Sequence, residues 1–248
     1  MSTKKIVAII PARYGSTRFP GKPLVDIAGK SLINRVYDQC CKSKLLTKVV
    51  VATDDERIFN HVIDFGGNVV MTSSEHPTGT DRCVEAYLNL NEKFDVILNI
   101  QGDEPFVDPQ QIDELIQIFI VNENAEIGTL AKKITDPNEI HDPKEAKVVF
   151  NSHNQVLLMS RSAIPFVKGI SPNEWIHHYN YYKHIGIYGF AEETLLKLGN
   201  LPQTELEKVE SLEQLRWLDN YKMYVGFTDI DTLSIDTPED LLEVSKYI

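Results

Sequence analysis

The sequence predicts an α/β fold with a mostly parallel sheet, because strand-like and helix-like segments alternate through its first half. Short β-branched or aliphatic runs at residues 6–10, 48–53 and 95–100 are each followed by a loop and then by a helical pattern. Such a rhythm produces right-handed crossovers between parallel strands. A chain of 248 residues, 42% of them hydrophobic, is also long enough to bury a full core.

The first-half helices have recognisable beginnings. Ser31 precedes apolar residues at helical spacing, and Asp108 is followed by Pro109 and by Gln111 three residues on, which is the pattern of a capped helix start. In chain order we predict a strand at 6–10, a helix from Ser31, a strand at 48–53, a helix at 54–65, a strand at 68–71, a helix at 81–90, a strand at 95–100 and a helix capped by Asp108.

The second half is less regular. We predict strands at 126–134, 147–150, 155–160, 184–190 and 233–235, and helices at 205–220 and 238–247 that begin at Thr204 and Thr237. The strands joined by turns indicate an antiparallel excursion at about 126–190, of the kind that closes a site or forms a subunit contact. We expect one domain, 1–248, that contains this excursion.

Composition and charge exclude several classes of protein. A net charge of −11 argues against nucleic-acid binding, since a phosphate backbone requires an extended basic face. Three cysteines, two of them adjacent, form neither a disulfide framework nor a zinc-ligand pattern, which favours a reducing compartment. The amino terminus carries two lysines and a five-residue apolar run, too short for a signal peptide or a membrane span. We therefore expect a cytoplasmic protein without a membrane partner.

The first loop, IPARYGSTRFPGKPL at 10–24, is the strongest candidate for a phosphate site. It contains the cations Arg13, Arg18 and Lys22 and no acid, in a chain that is otherwise acidic. Five residues separate Gly15 from Gly21, so the loop is not a Walker phosphate loop, and the dinucleotide fingerprint is also missing. A solvated surface turn is the alternative, but a basic loop directly after the first strand of an α/β sheet favours an anionic ligand.

Two aspartates follow apolar segments and could bind a divalent cation. Asp103 comes after a glycine at the end of the strand at 95–100, with Glu104 as its competitor for that role. Asp236 precedes the Thr237 cap of the last helix. Each also has an ordinary structural interpretation: Asp103 as a turn residue, and Asp236 as an acid placed favourably beside a helix amino terminus. Together they have the composition of a phosphoryl- or nucleotidyl-transfer metal site.

Other motifs carry weaker signals. The PTGTDR segment at 77–82 places small residues before a helix, which suits close approach to a base or ribose but is also a plain helix entry. His184 and Tyr188 share one face of a predicted strand and could bind a polyhydroxylated acid, although a lone strand histidine is more often structural. Arg161 could pair with a substrate carboxylate or with a surface acid.

Seven segments of the sequence resemble those of a known family. The segments IPARYGSTRFPGKPL, VATDDERI (51–58), PTGTDR, NIQGDEP (99–105), KHIGIYGF (183–190), ESLEQLR (210–216) and IDTPEDL (235–241) resemble those of the 3-deoxy-manno-octulosonate (Kdo) cytidylyltransferases. The resemblance runs in order over nearly the whole chain. The sister family that activates sialic acid has a similar opening but lacks the RFPGKPL run and the LEQLR helix.

The resemblance implies a sheet of the nucleotide-diphospho-sugar transferase (Rossmann-like) type, a homodimer, and the reaction of CTP with Kdo to give CMP-Kdo and pyrophosphate for lipopolysaccharide synthesis. It implies a catalytic set of Arg13, Lys22, Asp103 and Asp236, in which Arg13 and Lys22 hold the triphosphate and Asp103 and Asp236 bind Mg²⁺. It further implies a cytidine site lined by Thr78, Gly79, Thr80 and Arg82, and sugar contacts from Gln101, Arg161, His184, Tyr188, Glu213 and Gln214. Two alternatives stay open: a cytidylyltransferase for amino-modified Kdo or sialic acid, and a non-catalytic nucleotide-binding module.

Overall fold

The computed structural model describes residues 4–15 and 19–244. Arg18, one of the three cations of the first loop, lies outside the described residues, and so do residues 245–247 of the predicted terminal helix. The α/β class predicted from the alternating pattern is confirmed.

The strands, in chain order, are β1 (Ile6–Ala12), β2 (Asp26–Ile27), β3 (Lys30–Ser31), β4 (Lys48–Thr53), β5 (Val69–Met71), β6 (Val96–Asn99), β7 (Ile127–Lys133), β8 (Lys147–Phe150), β9 (Val156–Ser160), β10 (Tyr182–Ala191) and β11 (Met223–Thr228). The α-helices are α1 (Leu32–Cys40), α2 (Glu56–Asp64), α3 (Gly79–Asn89), α4 (Pro109–Val121), α5 (Pro137–His141), α6 (Glu192–Leu198), α7 (Glu205–Glu210), α8 (Gln214–Leu218) and α9 (Pro238–Val244). Two 3₁₀ turns cover Lys22–Leu24 and Pro172–His177.

The chain divides into two compact units. Unit 1 comprises Met1–Asp113, Gly189–Gly199 and Thr232–Ile248, and unit 2 comprises Glu114–Tyr188 and Asn200–Asp231. Unit 2 contains the segment at 126–190 that the sequence marks as irregular. The prediction of a single domain over 1–248 stays a prediction.

Unit 1 is built on a parallel sheet in the order β6-β1-β4-β5. The register pairs Val7 with Lys48 on one side of β1 and with Ile97 on the other. Residues 7–10 of β1 are fully buried, as expected for a strand covered by helices on both faces. Because β1 and β6 run side by side in the same direction, the loops that follow them emerge at one edge of the sheet.

Unit 2 has the predicted antiparallel character. β8 pairs with β9 and with β10 in antiparallel fashion, whereas β7 and β11 are parallel. A small core of Ile134, Ile140, Trp175 and Tyr181 packs beneath the segment that connects β9 to β10. The rings of Trp175 and Tyr181 are stacked with centroids 6.2 Å apart.

The predicted helix caps are confirmed, but one predicted helix is wrong. Ser31 accepts the backbone N–H of Asn34, and Thr204 forms a reciprocal capping box with Glu207. The helix predicted over 205–220 is two helices, α7 and α8. Ser211 lies between them in the left-handed region, with φ 52°, and a helix cannot continue through that conformation.

The prediction of a strand at 233–235 is also wrong. That segment has no regular structure; the backbone N–H of Ile235 donates to Asp103 O at 2.9 Å, and the Ile235 side chain is buried. Conversely, the sequence pattern missed β11, in which glycine and an exposed Phe227 interrupt the alternation expected of a strand.

The described parts of the chain contain no helix that is both long enough and apolar enough to cross a bilayer. All three cysteines are free thiols, with Cys40 and Cys83 buried and Cys41 exposed.

Candidate functional site

A polar cavity of about 340 Å³ lies in unit 1, where the loops after β1 and β6 emerge. Its walls come from the basic first loop, the start of α3, the loop after β6 and the residue before Thr237. The lining residues are Pro11, Ala12, Arg13, Gly15, Lys22, Pro23, His76, Thr78, Gly79, Arg82, Gln101, Gly102, Asp103 and Asp236.

The centre of this cavity is an ion-pair triad. The Lys22 ammonium donates to Asp103 Oδ2 at 2.8 Å and to Asp236 Oδ1 at 3.3 Å. The two aspartates are 133 positions apart in the sequence, yet they meet at one cation. The hydrogen bond from Ile235 N–H to Asp103 O ties the two segments together beside the triad.

Two local features hold these aspartates in place. A Cβ at Gly102 would lie only 2.5 Å from Pro11 O, so the chain can pass this close to β1 only as glycine. At the other segment, Asp240 Oδ2 accepts the backbone N–H groups of Asp236 and Thr237, at 2.9 and 2.8 Å. These hydrogen bonds lower the pKa of the Asp240 carboxyl. Asp240 therefore completes a capping box with Thr237, the N-cap of α9, while the Asp236 carboxylate contacts Lys22.

The donor set suits Mg²⁺ bound together with a substrate. The two contacting oxygens can be no farther apart than the sum of their distances to Lys22 Nζ, about 6 Å. Within residues 4–15 and 19–244 there is no cluster of three or more His, Cys, Asp or Glu side chains able to hold a metal. Mg²⁺ is commonly held by one or two carboxylates plus phosphate oxygens and water, and two convergent aspartates meet that requirement.

The surroundings of Glu104, the competing carboxylate, do not suit a metal ligand in this cavity. It is buried and does not line the cavity, and its Oε2 has no hydrogen-bond partner in the described part of the chain. Burial, with a smaller contribution from the Asp103 charge, raises the pKa of Glu104 to about 8.

The segment predicted to line the cytidine site forms the beginning of α3. Thr78 is the N-cap: its hydroxyl accepts the Asp81 N–H at 3.1 Å and donates to Asp81 Oδ2 at 2.7 Å. Thr78 and Gly79 line the cavity, so the start of this helix faces the same space as the basic loop. Thr80 is buried and lies next to Asn99, which donates to it at 3.5 Å; it is not a lining residue of the described cavity.

Arg82 is a buried cation in the cavity wall. Its guanidinium donates to Thr72 Oγ1 at 2.6 Å and lies 3.2 Å from Asp54 Oδ1. Burial lowers the pKa of Arg82, and the Asp54 carboxylate opposes that effect. Sequence reasoning missed His76, which also lines the cavity and contacts the Glu85 carboxylate through Nε2. Its position directly before the PTGTDR motif was the only signal available.

The residues predicted to contact a sugar fall in both units. Gln101 lines the unit 1 cavity, whereas Arg161, His184, Tyr188, Glu213 and Gln214 belong to unit 2. His184 and Tyr188 share one face of β10, with ring centroids 5.3 Å apart. Their Cα atoms are four strand positions apart, about 13 Å, so the rings lean towards each other over Gly186. A Cβ at Gly186 would meet nothing within 4 Å, so there is free space directly beside Gly186, whereas the Tyr188 ring is buried and packs on Trp217.

The other predicted sugar contacts are engaged within unit 2. Arg161 donates Nε–H to Glu210 O at 2.7 Å and uses Nη1 for Pro143 O and Lys144 O, at 2.9 and 3.2 Å. Glu213 accepts from Arg216 at 2.7 Å, and Gln214 is buried. Arg161 could donate two hydrogen bonds to a substrate carboxylate only if some of these backbone contacts broke. The role of Arg161 in sugar binding therefore stays a prediction.

Comparisons with known proteins identify the family. The cytidylyltransferase family profile matches residues 7–225. The 3-deoxy-manno-octulosonate cytidylyltransferase of Parabacteroides distasonis is 50% identical over 249 residues and covers 98% of both chains. The protein of that name from Cytophaga hutchinsonii is 48% identical, again over 98% of both chains. The chain belongs to the 3-deoxy-manno-octulosonate cytidylyltransferase family.

A solved structure supports the same assignment. It is described as CMP:2-keto-3-deoxy-manno-octonic acid synthetase complexed with CTP, and this chain is 37% identical to it. The TM-score is 0.90, with 98% of each chain covered. A cytidylyltransferase from Leptospira borgpetersenii shares the fold, at a TM-score of 0.65 and 19% identity, covering 99% of this chain and 88% of that one. The predicted fold type and family are confirmed.

Proposed function

We propose that this member of the Kdo cytidylyltransferase family transfers CMP from CTP to the anomeric hydroxyl of Kdo, giving CMP-Kdo and pyrophosphate for lipopolysaccharide synthesis. The observation that carries the proposal is the Asp103–Lys22–Asp236 triad in a cavity whose wall also holds Arg13. Carboxylates for a metal and cations for a triphosphate are the two groups that nucleotidyl transfer requires.

The proposed reaction is an in-line displacement at the α-phosphorus of CTP. The anomeric oxygen of the sugar forms the new P–O bond, the bond from the α-phosphorus to the bridging oxygen breaks, and the hydroxyl proton passes to solvent. Arg13 and Lys22 hold the triphosphate and stabilise the charge on the departing pyrophosphate. Thr78, Gly79, Thr80 and Arg82 form the cytidine site.

Asp103 and Asp236 hold Mg²⁺ in this proposal. Bound there, the ion would supply Lewis-acid chemistry, lowering the pKa of the sugar hydroxyl and neutralising phosphate charge. Lys22 occupies the space between the two carboxylates in this structure. We therefore expect the lysine ammonium to turn from the aspartates towards phosphate oxygens when metal and CTP bind.

The sugar acid is held by Gln101, Arg161, His184, Tyr188, Glu213 and Gln214. The free space directly beside Gly186, on the strand face that also carries the His184 and Tyr188 rings, supports this for two of the six. Aromatic and imidazole faces beside hydrogen-bonding groups suit a polyhydroxylated ring.

We also propose a cytoplasmic homodimer. The free thiols of Cys40, Cys41 and Cys83 support a reducing compartment. Exposed apolar side chains in unit 2 support self-association: Leu157 and Leu158 on β9 are 62% and 38% exposed, and Phe227 on β11 is 42% exposed. Sedimentation equilibrium should give twice the chain mass; a monomer at micromolar concentration would contradict the dimer.

A substrate panel tests the activity. The purified chain is incubated with CTP, Mg²⁺ and one sugar acid, and pyrophosphate release is measured for Kdo, amino-modified Kdo and sialic acid. We expect rapid release with Kdo and slow release with sialic acid. Faster release with either other sugar would move the proposal to that substrate, and CTP binding without release from any of them would favour a non-catalytic module.

A further inference from the structure

Thr129 is a fully buried polar residue next to His184 that neither the motifs nor the proposed mechanism uses. It lies on β7, and its Oγ1 is 2.9 Å from His184 Nε2, 2.9 Å from Ile187 O and 3.3 Å from Ile185 O. Three polar atoms thus crowd one hydroxyl inside unit 2, where water is excluded.

The chemistry of these neighbours decides the direction of each hydrogen bond. A threonine hydroxyl has one proton to donate and two lone pairs that accept. Carbonyl oxygens only accept, so the proton must point to Ile187 O, the nearer carbonyl. If it pointed to His184 instead, the hydroxyl lone pairs would face two buried carbonyl oxygens without compensation. The hydroxyl therefore accepts from His184, and Nε2 must carry a proton.

The second ring nitrogen of His184 then has the opposite character. Burial lowers the pKa of His184 to about 4, so the ring is neutral at physiological pH and only one nitrogen is protonated. With the proton on Nε2, Nδ1 keeps its lone pair. Within the described part of the chain, Nδ1 makes no hydrogen bond, since the side-chain contacts of His184 are Thr129 and the Tyr188 ring.

We infer that Thr129 is a positioning residue that locks His184 in the Nε2–H tautomer, so that Nδ1 is a hydrogen-bond acceptor for a hydroxyl of the bound sugar acid. The inference rests on the proposed function for the identity of the ligand. In this tautomer His184 recognises hydroxyl groups, because Nδ1 accepts their hydrogen bonds. A neutral acceptor would repel a carboxylate, which must be bound by other groups.

The tautomer is measured directly by long-range ¹H–¹⁵N correlation spectra of the full chain labelled with ¹⁵N-histidine. The sequence contains seven histidines, and the signals lost in His184→Gln identify the ring. We expect Nε2 to be protonated and Nδ1 to be unprotonated at pH 7, with Kdo shifting the Nδ1 resonance towards a hydrogen-bonded value. An Nδ1–H tautomer, an imidazolium, or an Nδ1 resonance unmoved by saturating Kdo would overturn the inference.

Variants test the role of Thr129. Thr129→Val keeps the shape and removes the hydroxyl, and Thr129→Ser restores it. We expect Thr129→Val to lose the tautomer preference and to raise the KM for Kdo about tenfold while the KM for CTP stays within twofold. Thr129→Ser should retain both properties. Thr228→Val, which removes a buried hydroxyl from β11, is the matched control and should behave as the wild type.

A Thr129→Val protein with the wild-type tautomer and the wild-type KM for Kdo would contradict the inference. Should this variant not fold, the spectrum of the wild-type ring decides the question alone. If the wild-type chain releases no pyrophosphate from CTP and Kdo, the proposed function fails, but the same spectrum still reports the tautomer.

Discussion

Replacing Lys22 with methionine should expose the repulsion between the two carboxylates that this lysine joins. Methionine keeps an unbranched stem of similar reach and removes the charge. In the wild type the ammonium lies 2.8 and 3.3 Å from the two carboxylates, so the triad carries one net negative charge. Without it, two negative charges remain within about 6 Å of each other.

The size of the effect follows from this spacing. Two unit charges about 6 Å apart repel by about 3 kcal/mol at an effective dielectric constant of 20, and by about 0.7 kcal/mol in bulk water. The side chains of Asp103 and Asp236 are 28% and 38% exposed, so solvent screens a good part of this repulsion. We therefore expect Lys22→Met to lower the free energy of unfolding by about 1–2 kcal/mol in the absence of divalent metal.

Added Mg²⁺ should reverse this loss. If Asp103 and Asp236 bind Mg²⁺ as proposed, the ammonium competes with the metal for the same oxygens, and the variant should bind Mg²⁺ more tightly than the wild type does. At a concentration tenfold above the Kd, binding adds about 1.4 kcal/mol of stability. Urea unfolding followed by far-ultraviolet circular dichroism, with EDTA or with Mg²⁺, measures both effects.

Lys30→Met is the matched control, because Lys30 pairs with Asp38 at 2.5 Å but both side chains are largely exposed. We expect a change below about 0.5 kcal/mol for it, with or without Mg²⁺. A destabilisation of Lys22→Met that is the same in EDTA and in Mg²⁺ would refute the reasoning, since the carboxylates would then not share a metal.

Three further predictions concern the backbone at Gly102 and Ser211 and the titration of His184. Gly102→Ala should lower turnover at least about tenfold, because its Cβ would lie 2.5 Å from Pro11 O and must displace Asp103; a wild-type rate of pyrophosphate release would count against this. The pKa of His184 is about 6.5 in the unfolded chain and about 4 in the folded chain, so the imidazole binds its proton more readily when the chain unfolds. The free energy of unfolding therefore keeps its full value above pH 6.5 and falls by about 3 kcal/mol as the pH drops to 4. His184→Gln should flatten that dependence in urea unfolding from pH 7 to 4.5, and an unchanged slope would contradict it. Ser211→Gly should raise the free energy of unfolding by about 0.5–1 kcal/mol, because Ser211 has φ 52° and glycine adopts this conformation without strain; a loss of stability in the same measurement would argue against it.

Local patterns in the sequence predicted most of the fold of unit 1. The strand predicted at 48–53 matches β4 residue for residue, and Ser31 caps α1 as its spacing indicated. These elements are specified by neighbours in the chain, through β-branched runs and a hydroxyl at the helix start. The backbone conformation of Ser211 could not be predicted from such neighbours. A non-glycine residue in the left-handed region cannot be read from apolar periodicity, so two helices were predicted as one.

The site was predicted in part, and for a similar reason. The carboxyl ends of parallel strands meet at one edge of a sheet, so the convergence of Arg13, Lys22 and Asp103 follows from the strand pattern. The contact between Lys22 and Asp236 requires the segment at 235–236 to lie beside Asp103, where Ile235 N–H donates to Asp103 O, and no local pattern indicates this placement. Thr129 gave no signal at all, because its effect on His184 depends on which strands are neighbours.

The most direct test of a shared metal between Asp103 and Asp236 is the rate of pyrophosphate release by Asp103→Asn with saturating CTP, Kdo and Mg²⁺. Asparagine keeps the size of the side chain and removes its charge, so the fold should stay intact by circular dichroism. Loss of a metal-holding carboxylate corresponds to several kcal/mol of transition-state stabilisation, and we expect turnover to fall by about a thousandfold or more. A folded Asp103→Asn protein that turns over within a few fold of the wild type would contradict the account.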